Sequence, residues 1–210
     1  TNAYLLSNNV IRDMIELGFT QIQISFDGDE DNHNKTRFLK GSKGKTFAKI
    51  IKNLDALVSL TSDNFKIDLR INVNKTNEKD FAILYKKFIQ RYGAKRINPY
   101  PGFIRETSKD GCRMCYKSLF NSKRYQFYKK IQNEGVPVDF FPHVDLQKGC
   151  MVNRNNCFII GPSGEMYKCW NDFNSPEKII GYIQDKKLRN PSLVCHYLYD
   201  TSIYNTPKCK

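Results

Sequence analysis

A strand and a polar loop follow one another directly in the segment Gln21-Ile-Gln-Ile-Ser-Phe-Asp-Gly-Asp-Glu-Asp-Asn-His-Asn-Lys-Thr-Arg37. The first six residues alternate polar and apolar side chains, which is the pattern of a β-strand with one buried face. The polar run after them predicts a loop. His33 in this loop is interpreted as a capping or packing residue, and no glutamate occupies the twelfth loop position that an EF-hand requires. The loop is therefore not an EF-hand calcium site.

Strand-like and helix-like patterns alternate on both sides of this segment. Apolar residues recur at helical spacing in residues 10–17, 47–58, 81–92 and 119–131, and strands are predicted at residues 67–73, 95–98 and 136–140. Repeated β-then-α units imply a parallel sheet with right-handed crossovers. Such a sheet binds its ligand at the carboxyl ends of its strands, so the loop after the first strand is a candidate ligand site.

A second pattern, Cys157-Phe-Ile-Ile-Gly-Pro-Ser-Gly-Glu-Met-Tyr-Lys-Cys169, predicts a short β-hairpin with a cysteine at each end. Its turn, Gly161-Pro-Ser-Gly164, contains glycines that tolerate positive φ. Cys150 precedes the hairpin, and the three thiols would suit zinc or an iron–sulfur cluster. A disulfide or simple burial of the thiols remains the alternative.

The other cysteines carry weaker signals. The pair Cys112 and Cys115 has three interpretations: half of a zinc site, a redox dithiol, or two loop thiols without a role. Cys195 and His196 lie in an apolar run and are predicted to be buried packing residues. Seven cysteines without a signal peptide favour a reducing compartment, and we expect a cytoplasmic protein.

The composition predicts a soluble globular protein, because 40% of the residues are apolar and no run of about 18 apolar residues suggests a membrane span. The net charge is +13, from 34 Lys and Arg residues against 21 Asp and Glu residues. The basic residues are spread over every segment, which indicates a generally basic surface. Nucleic acid is therefore not the expected partner.

An ordered set of short motifs runs through the first half of the chain: Thr1-Asn-Ala3, Ile24-Ser-Phe-Asp-Gly28, His33, Arg37, Gly44-Lys-Thr-Phe47, Ile51, Asn53 and Arg70-Ile-Asn-Val73. This set resembles the radical S-adenosylmethionine (SAM) family, in which Thr-Asn-Gly, Ser-Leu-Asp-Gly, His, Arg, Gly-x-Thr-Phe and Ile-x-Asn occur in the same order. Ala3 replaces the glycine of the first motif. The resemblance implies an incomplete (β/α) partial barrel of the TIM-like radical SAM type over residues 1–142.

The cysteine-rich part resembles the SPASM domain, which carries auxiliary [4Fe–4S] clusters in peptide-modifying radical SAM enzymes. The spacing of Cys150, Gly164 and Cys169 matches the opening of that domain, and Cys157 is similar to an additional ligand of the sulfatase-maturing members. Cys209 would be the first half of the next cysteine pair, cut by the end of the chain. The resemblance implies a truncated SPASM-like domain over residues 143–210, with metal ligands Cys150, Cys157, Cys169 and Cys209.

The same resemblance implies that Ser25 and Arg37 bind SAM, through its ribose hydroxyls and its carboxylate, and that Asn72 faces the cofactor. An arginine offers a planar fork to a carboxylate. The Cys-x3-Cys-x2-Cys motif that binds the SAM-cleaving cluster does not occur in the sequence. It would precede Thr1, so both termini are interpreted as cut, and the fragment alone is expected to be inactive.

The intact enzyme is expected to cleave SAM reductively and to abstract a hydrogen atom from a peptide or protein side chain, with flavodoxin or ferredoxin as electron donor. In the sulfatase-maturing members an aspartate follows the cysteine that matches Cys169, whereas Trp170 stands here. Asp172 is interpreted as a solvent-exposed residue. A different peptide maturase is therefore favoured, with anaerobic sulfatase maturation as the alternative within this class. The alternative outside it is a non-catalytic zinc or iron–sulfur module whose basic surface binds nucleic acid.

Overall fold

The computed structural model describes residues 1–74, 76–103, 121–140, 151–185 and 188–199. The chain folds into two compact units, residues 1–140 and 141–210. The predicted site residues Cys150 and Cys209, and the pair Cys112 and Cys115, lie outside the described residues.

The first unit is a mixed α/β structure around a three-stranded parallel sheet with the order β1-β2-β3. Its elements follow one another as α1 (Asn8–Glu16), β1 (Gln21–Phe26), α2 (Glu30–Thr36), α3 (Phe47–Leu60), β2 (Lys66–Val73), α4 (Asp80–Tyr92), β3 (Ile97–Phe103) and α5 (Asn121–Asn133). The predicted parallel sheet and its helical connections are thereby confirmed.

The two faces of this sheet differ in polarity. On one face, alternate residues of β1 and β2 are buried in a single core with the apolar stripes of α3 and α4: Ile22, Ile24, Phe26, Ile67, Leu69, Ile71, Val73, Phe47, Ile50, Leu54, Leu57, Phe81, Leu84 and Phe88. Each such side chain stabilises the fold by about 1.5–3 kcal/mol. The residues between them point to the other face, which is polar and carries Gln23, Ser25, Asp68, Arg70 and Asn72.

Three local predictions differ from the structure. The polar run after β1 contains α2, because the Asp29 side chain caps its first turn by accepting from the Asn32 amide at 2.9 Å. β3 continues beyond residue 98 through Pro99 and Pro101, which the strand tolerates because, within the described residues, it pairs with another strand on one side only. Residues 136–140 form no strand.

The second unit contains the antiparallel sheet β4 (Ile159–Ile160), β5 (Glu165–Tyr167) and β6 (Gly181–Tyr182), followed by α6 (Pro191–Tyr199). The predicted hairpin joins β4 and β5: the Gly161 amide donates to the Glu165 carbonyl at 2.8 Å, and Gly164 has a φ of +84°. Glycine adopts that conformation without strain, which accounts for its place in the turn.

The prediction that Cys195 and His196 are buried is wrong, because both are exposed. They lie on α6 between Val194 and Tyr197, which are three residues apart and face inward together. The helix therefore buries only the face that carries Val194 and Tyr197. Cys195 and His196 lie between them in sequence but on the opposite face, which is exposed to solvent.

No helix in the described part of the chain is long and apolar enough to cross a membrane.

The first prediction concerns Asn53, which is buried on α3 and holds the first residues of the chain in place by hydrogen bonds. Its Nδ2 donates to the carbonyls of Ala3 at 2.7 Å and Tyr4 at 2.9 Å, next to the positive φ of Ala3 at +56°. Asn53→Ala leaves both carbonyls without this donor and should lower the free energy of unfolding by about 2–3 kcal/mol. Urea unfolding measures the change.

The matched control is Asn9→Ala, which replaces an exposed asparagine on α1 and should leave the unfolding midpoint almost unchanged. Equal midpoints for Asn53→Ala and the wild type would contradict the role given to these two hydrogen bonds.

Candidate functional site

The Asp27 carboxylate joins three elements at the carboxyl end of the parallel sheet. Asp27 directly follows β1 and accepts from Arg37 Nε at 2.7 Å, from Asn72 Nδ2 at 2.7 Å and from Thr36 Oγ1 at 3.3 Å. Arg37 ends α2, and Asn72 lies near the end of β2. Two of the predicted cofactor-binding residues, Arg37 and Asn72, are thus brought together by a third residue that the sequence analysis did not select.

The charge of Asp27 is stabilised by these partners. Burial by itself raises the pKa of Asp27, but the hydrogen bonds from Arg37 and Asn72 outweigh it and hold that pKa below its ordinary value. Asp27 therefore remains an anion at neutral pH. Arg37 gives only Nε to this ion pair, and its two terminal nitrogens contact no other acceptor within the described residues.

The backbone of Arg37 is held from the opposite side. Thr46, which precedes α3, donates from Oγ1 to the Arg37 carbonyl at 2.6 Å. The Asn34 side chain accepts from the amides of Thr46 at 2.9 Å and Phe47 at 3.1 Å, so α2 and the start of α3 are linked. These bonds explain why a threonine at the start of α3 matters for the position of an arginine on another element.

Two polar side chains, Arg70 and Asn72, pack closely over Gly102 on β3. Gly102 pairs with Asn72 in the sheet register, and a Cβ at this position would lie 2.7 Å from Asn72 Oδ1 and would also collide with Arg70 Nε. Asn72 Oδ1 and Arg70 Nε are buried and have no hydrogen-bond partner among the described residues. One unpaired acceptor and one unpaired donor therefore lie side by side over residue 102, in the position that a side chain there would occupy.

Ser25 lies on the same polar face as Arg70 and Asn72. It is opposite Arg70 in the register of β1 and β2, two residues before Asp27. The structure thus places Ser25, Arg37 and Asn72 at one end of the sheet, although nothing in it shows what they bind.

The loops after β1 and β2 pack against each other. Gly28 has a φ of +96°, and a Cβ there would lie 2.8 Å from Asp80 Oδ2. The buried Asp80 carboxylate accepts from the Asp29 amide at 3.2 Å and from Asn32 Nδ2 at 2.7 Å. Asp80 was missed in the sequence because it reads as an ordinary first-turn residue of α4. These contacts fix the loop that carries Asp27.

His33 is a packing residue, as predicted. Its ring is fully buried, with ring centroids 5.8 Å from that of Phe26 and 5.4 Å from that of Phe47, and Nδ1 accepts from the Asp27 amide at 3.2 Å. Burial, together with the nearby Arg37 charge, lowers the pKa of His33 from 6.5 to about 4. The imidazole is therefore neutral at physiological pH.

The second prediction follows from this pKa. Between pH 6.5 and pH 4 the unfolded chain binds a proton at His33 that the folded chain does not, so stability falls as the pH falls through this window. The total loss is about 3 kcal/mol, and about 2 kcal/mol of it should occur on going from neutral pH to about pH 5.

His33→Gln removes the titrating group and keeps an acceptor for the Asp27 amide. Unfolding free energies at the two pH values should show the wild type losing about 2 kcal/mol more than this variant. An identical pH dependence for both proteins would show that His33 is not held neutral by its surroundings.

The hairpin brings two predicted metal ligands to its open end. Ile159 pairs with Tyr167, so Cys157 lies two residues before β4 and Cys169 two residues after β5, at the open end of the hairpin. Cys169 is buried and Cys157 half-buried, and neither forms a disulfide. Within the described residues no group of three His, Cys, Asp or Glu side chains is arranged to hold a metal ion.

Of the two residues considered after Cys169, Trp170 is 69% exposed. Asp172 is not a free solvent aspartate: it is half-buried, and its Oδ2 accepts from the Tyr197 hydroxyl. Burial and the Asp172 hydrogen bond raise the pKa of Tyr197, and Tyr197 also packs in one cluster with Cys169. The reason is that α6, which the sequence analysis did not predict, places Tyr197 against this turn.

The architecture is similar to that of solved radical SAM/SPASM structures of anSMEcpe, an anaerobic sulfatase-maturating enzyme. For anSMEcpe with bound AdoMet (SAM) the TM-score is 0.56 at 19% sequence identity, over 93% of this chain and 55% of that chain. This chain therefore shares the fold of these structures. A histidine-tagged form with bound AdoMet gives a TM-score of 0.57 at 16% identity, over 96% of this chain and 53% of that one.

A third structure, anSMEcpe with bound AdoMet and the Cp18Cys peptide, gives a TM-score of 0.57 at 16% identity, over 93% of this chain and 56% of that one. The chain thus spans little more than half the length of the structures it resembles. No protein-family model and no curated protein sequence matches it.

Proposed function

We propose that this chain is part of a radical SAM enzyme, binds SAM at the carboxyl ends of β1 and β2, and acts on a peptide or protein side chain. The observation that carries the proposal is the junction of Asp27, Arg37 and Asn72 at that end of a parallel sheet, in a fold similar to one whose solved structures contain AdoMet. Ligands of parallel α/β sheets bind at this end.

The residues at this end fit SAM chemically. SAM has a carboxylate, an ammonium group, ribose hydroxyls and an adenine ring, so it offers both donors and acceptors. The terminal nitrogens of Arg37 suit the carboxylate, Ser25 suits a ribose hydroxyl, and the unpaired Asn72 Oδ1 accepts from a ligand donor. Asp27 holds Arg37 and Asn72 in place before the ligand arrives, which lowers the cost of ordering them on binding.

When bound and reduced through a [4Fe–4S] cluster, SAM supplies the hydrogen-atom abstraction that starts the reaction. Cys150, Cys157, Cys169 and Cys209 are proposed to hold an auxiliary [4Fe–4S] cluster, since thiolates are the usual ligands of such clusters. The two described ligands, Cys157 and Cys169, lie at the two ends of one hairpin and are not joined in a disulfide, which fits this role. A flavodoxin or ferredoxin would donate the electron in the cytoplasm.

A peptide substrate is supported by the solved neighbours, two of which contain a bound peptide. We favour a peptide maturase other than a formylglycine-forming enzyme. Trp170 has no group that accepts a proton, and the Asp172 carboxylate is already engaged as the acceptor of the Tyr197 hydroxyl. Anaerobic sulfatase maturation is the alternative reaction for the same site.

The third prediction tests SAM binding in the full-length protein by calorimetry. Arg37→Ala removes a charge-assisted contact and should weaken SAM binding by about 1.5–3 kcal/mol. Gly102→Ala places a methyl group against Asn72 Oδ1 and Arg70 Nε and should weaken binding without removing any polar group.

The control is Arg91→Ala, because Arg91 forms an exposed ion pair with Asp55 between α4 and α3, away from the polar face. Its SAM affinity should equal that of the wild type. If Arg37→Ala and Gly102→Ala also bound SAM as tightly as the wild type, the proposed SAM site would be wrong.

The fourth prediction concerns the reaction. Full-length enzyme incubated with SAM, a reductant and a sulfatase-derived Cys-x-Pro-x-Arg peptide should form no formylglycine, because no free carboxylate follows Cys169. Mass spectrometry of the peptide is the measurement, with SAM cleavage as the control that the enzyme is active. Efficient formylglycine formation would establish the alternative reaction, and its loss in Asp172→Asn would identify Asp172 as the base.

A further inference from the structure

Lys168 is a fully buried lysine in the hairpin of the second unit, directly before Cys169. Its Nζ donates to the carbonyl of Arg154 at 2.6 Å and to the carbonyl of Cys157 at 2.9 Å, and it lies 4.9 Å from the ring centroid of Phe158. No carboxylate forms an ion pair with it within the described residues.

A lysine in this position is costly. Lysine is almost never fully buried unless it is paired, because its charge loses hydration in a low-dielectric interior. Two carbonyl oxygens and the face of one aromatic ring compensate only part of that loss, since they carry no net charge. The ammonium also has a third donor, for which no acceptor is present within the described residues. A buried cation of this kind favours an anion beside it.

The contacts of Lys168 also fix the position of Cys157. The carbonyl of Arg154 accepts both from Lys168 Nζ and from the Cys157 amide, the latter at 3.3 Å. The ammonium therefore clamps both ends of the turn 154–157 against the end of β5. Because Lys168 directly precedes Cys169 and binds the Cys157 carbonyl, this clamp links the backbones of the two cysteines at the open end of the hairpin.

We propose that Lys168 is a positioning residue for a thiolate-bound metal centre at Cys157 and Cys169. It holds the Cys157 backbone in place and supplies a fixed positive charge next to an anionic centre. The inference rests on the proposed function, which assigns these two cysteines as cluster ligands. A centre held by several thiolates carries net negative charge, so a nearby cation stabilises it and makes its reduction easier.

The test uses cobalt(II) as the probe, because its thiolate complexes absorb strongly and report binding independently of enzyme activity. The reduced, metal-free chain is titrated anaerobically with cobalt(II). Lys168→Met, which removes both the charge and the carbonyl contacts, should bind cobalt(II) about 10–100-fold more weakly than the wild type. Lys168→Arg keeps the charge and should recover most of the affinity.

Two further variants make the result decisive. Lys168→Gln keeps one donor without the charge, so it should also bind more weakly than the wild type and serves if Lys168→Met fails to fold. Lys178→Met removes a half-buried lysine of the same unit outside the hairpin and should bind cobalt(II) like the wild type. After reconstitution with iron and sulfide, Lys168→Gln should also show a more negative reduction potential.

Equal cobalt(II) affinity for the wild type and Lys168→Gln would overturn the role of Lys168 while leaving the metal centre intact. A wild-type chain that gives no thiolate absorption, or a signal that survives Cys157→Ser with Cys169→Ser, would overturn the assignment of the two cysteines on which the inference rests. The two failures are therefore distinguishable.

Discussion

The ion pair between Asp27 and Arg37 is the interaction on which the candidate site depends. It is partly buried, with 16% of the Asp27 side chain and 30% of the Arg37 side chain exposed, so solvent screens it less than a surface pair. Removing either partner leaves the other charge in a semi-buried position, which is more costly than the pair itself is stabilising. The same carboxylate holds Asn72, so one anion aligns the ends of β1, α2 and β2.

Two glycines, Gly28 and Gly102, make this arrangement possible because they have no side chain. Gly28 lets the Asp80 carboxylate approach the loop that carries Asp27, and Gly102 leaves room for Asn72 and Arg70 to lean across β3. A methyl group at either position would collide with a polar atom that the site uses. The hydrogen bond from Asn72 Nδ2 to a carboxylate also fixes the orientation of the amide, because a carboxylate only accepts. The unpaired oxygen is therefore held directly over Gly102.

The sequence predicts those parts of the fold whose burial follows a simple period. β1 and β2 bury one face and α3 and α4 bury one stripe, so periods of 2 and 3.6 identify them. Periodicity does not predict α2, because that helix depends on a local cap. It also does not predict the exposure of Cys195, because α6 buries the residues on either side of the Cys195–His196 pair and exposes the pair itself. Ser25, Arg37 and Asn72 follow from the order of motifs, whereas the role of Asp27 depends on partners 10 and 45 residues away. No local pattern contains that information.

The described part of the second unit has a small apolar core. Its sheet consists of strands of two or three residues, and the buried cluster around Cys169 contains only Val152 and Tyr197 besides the cysteine within the described residues. Strands this short bury little apolar surface, and small units of this kind usually need a disulfide or a metal for stability. The described cysteines form no disulfide. A metal centre would supply the missing free energy through its ligand bonds, because binding energy at a site that forms only on folding is also folding energy. The buried charge of Lys168, which costs stability in a metal-free hairpin, would then be compensated by the centre proposed at Cys157 and Cys169.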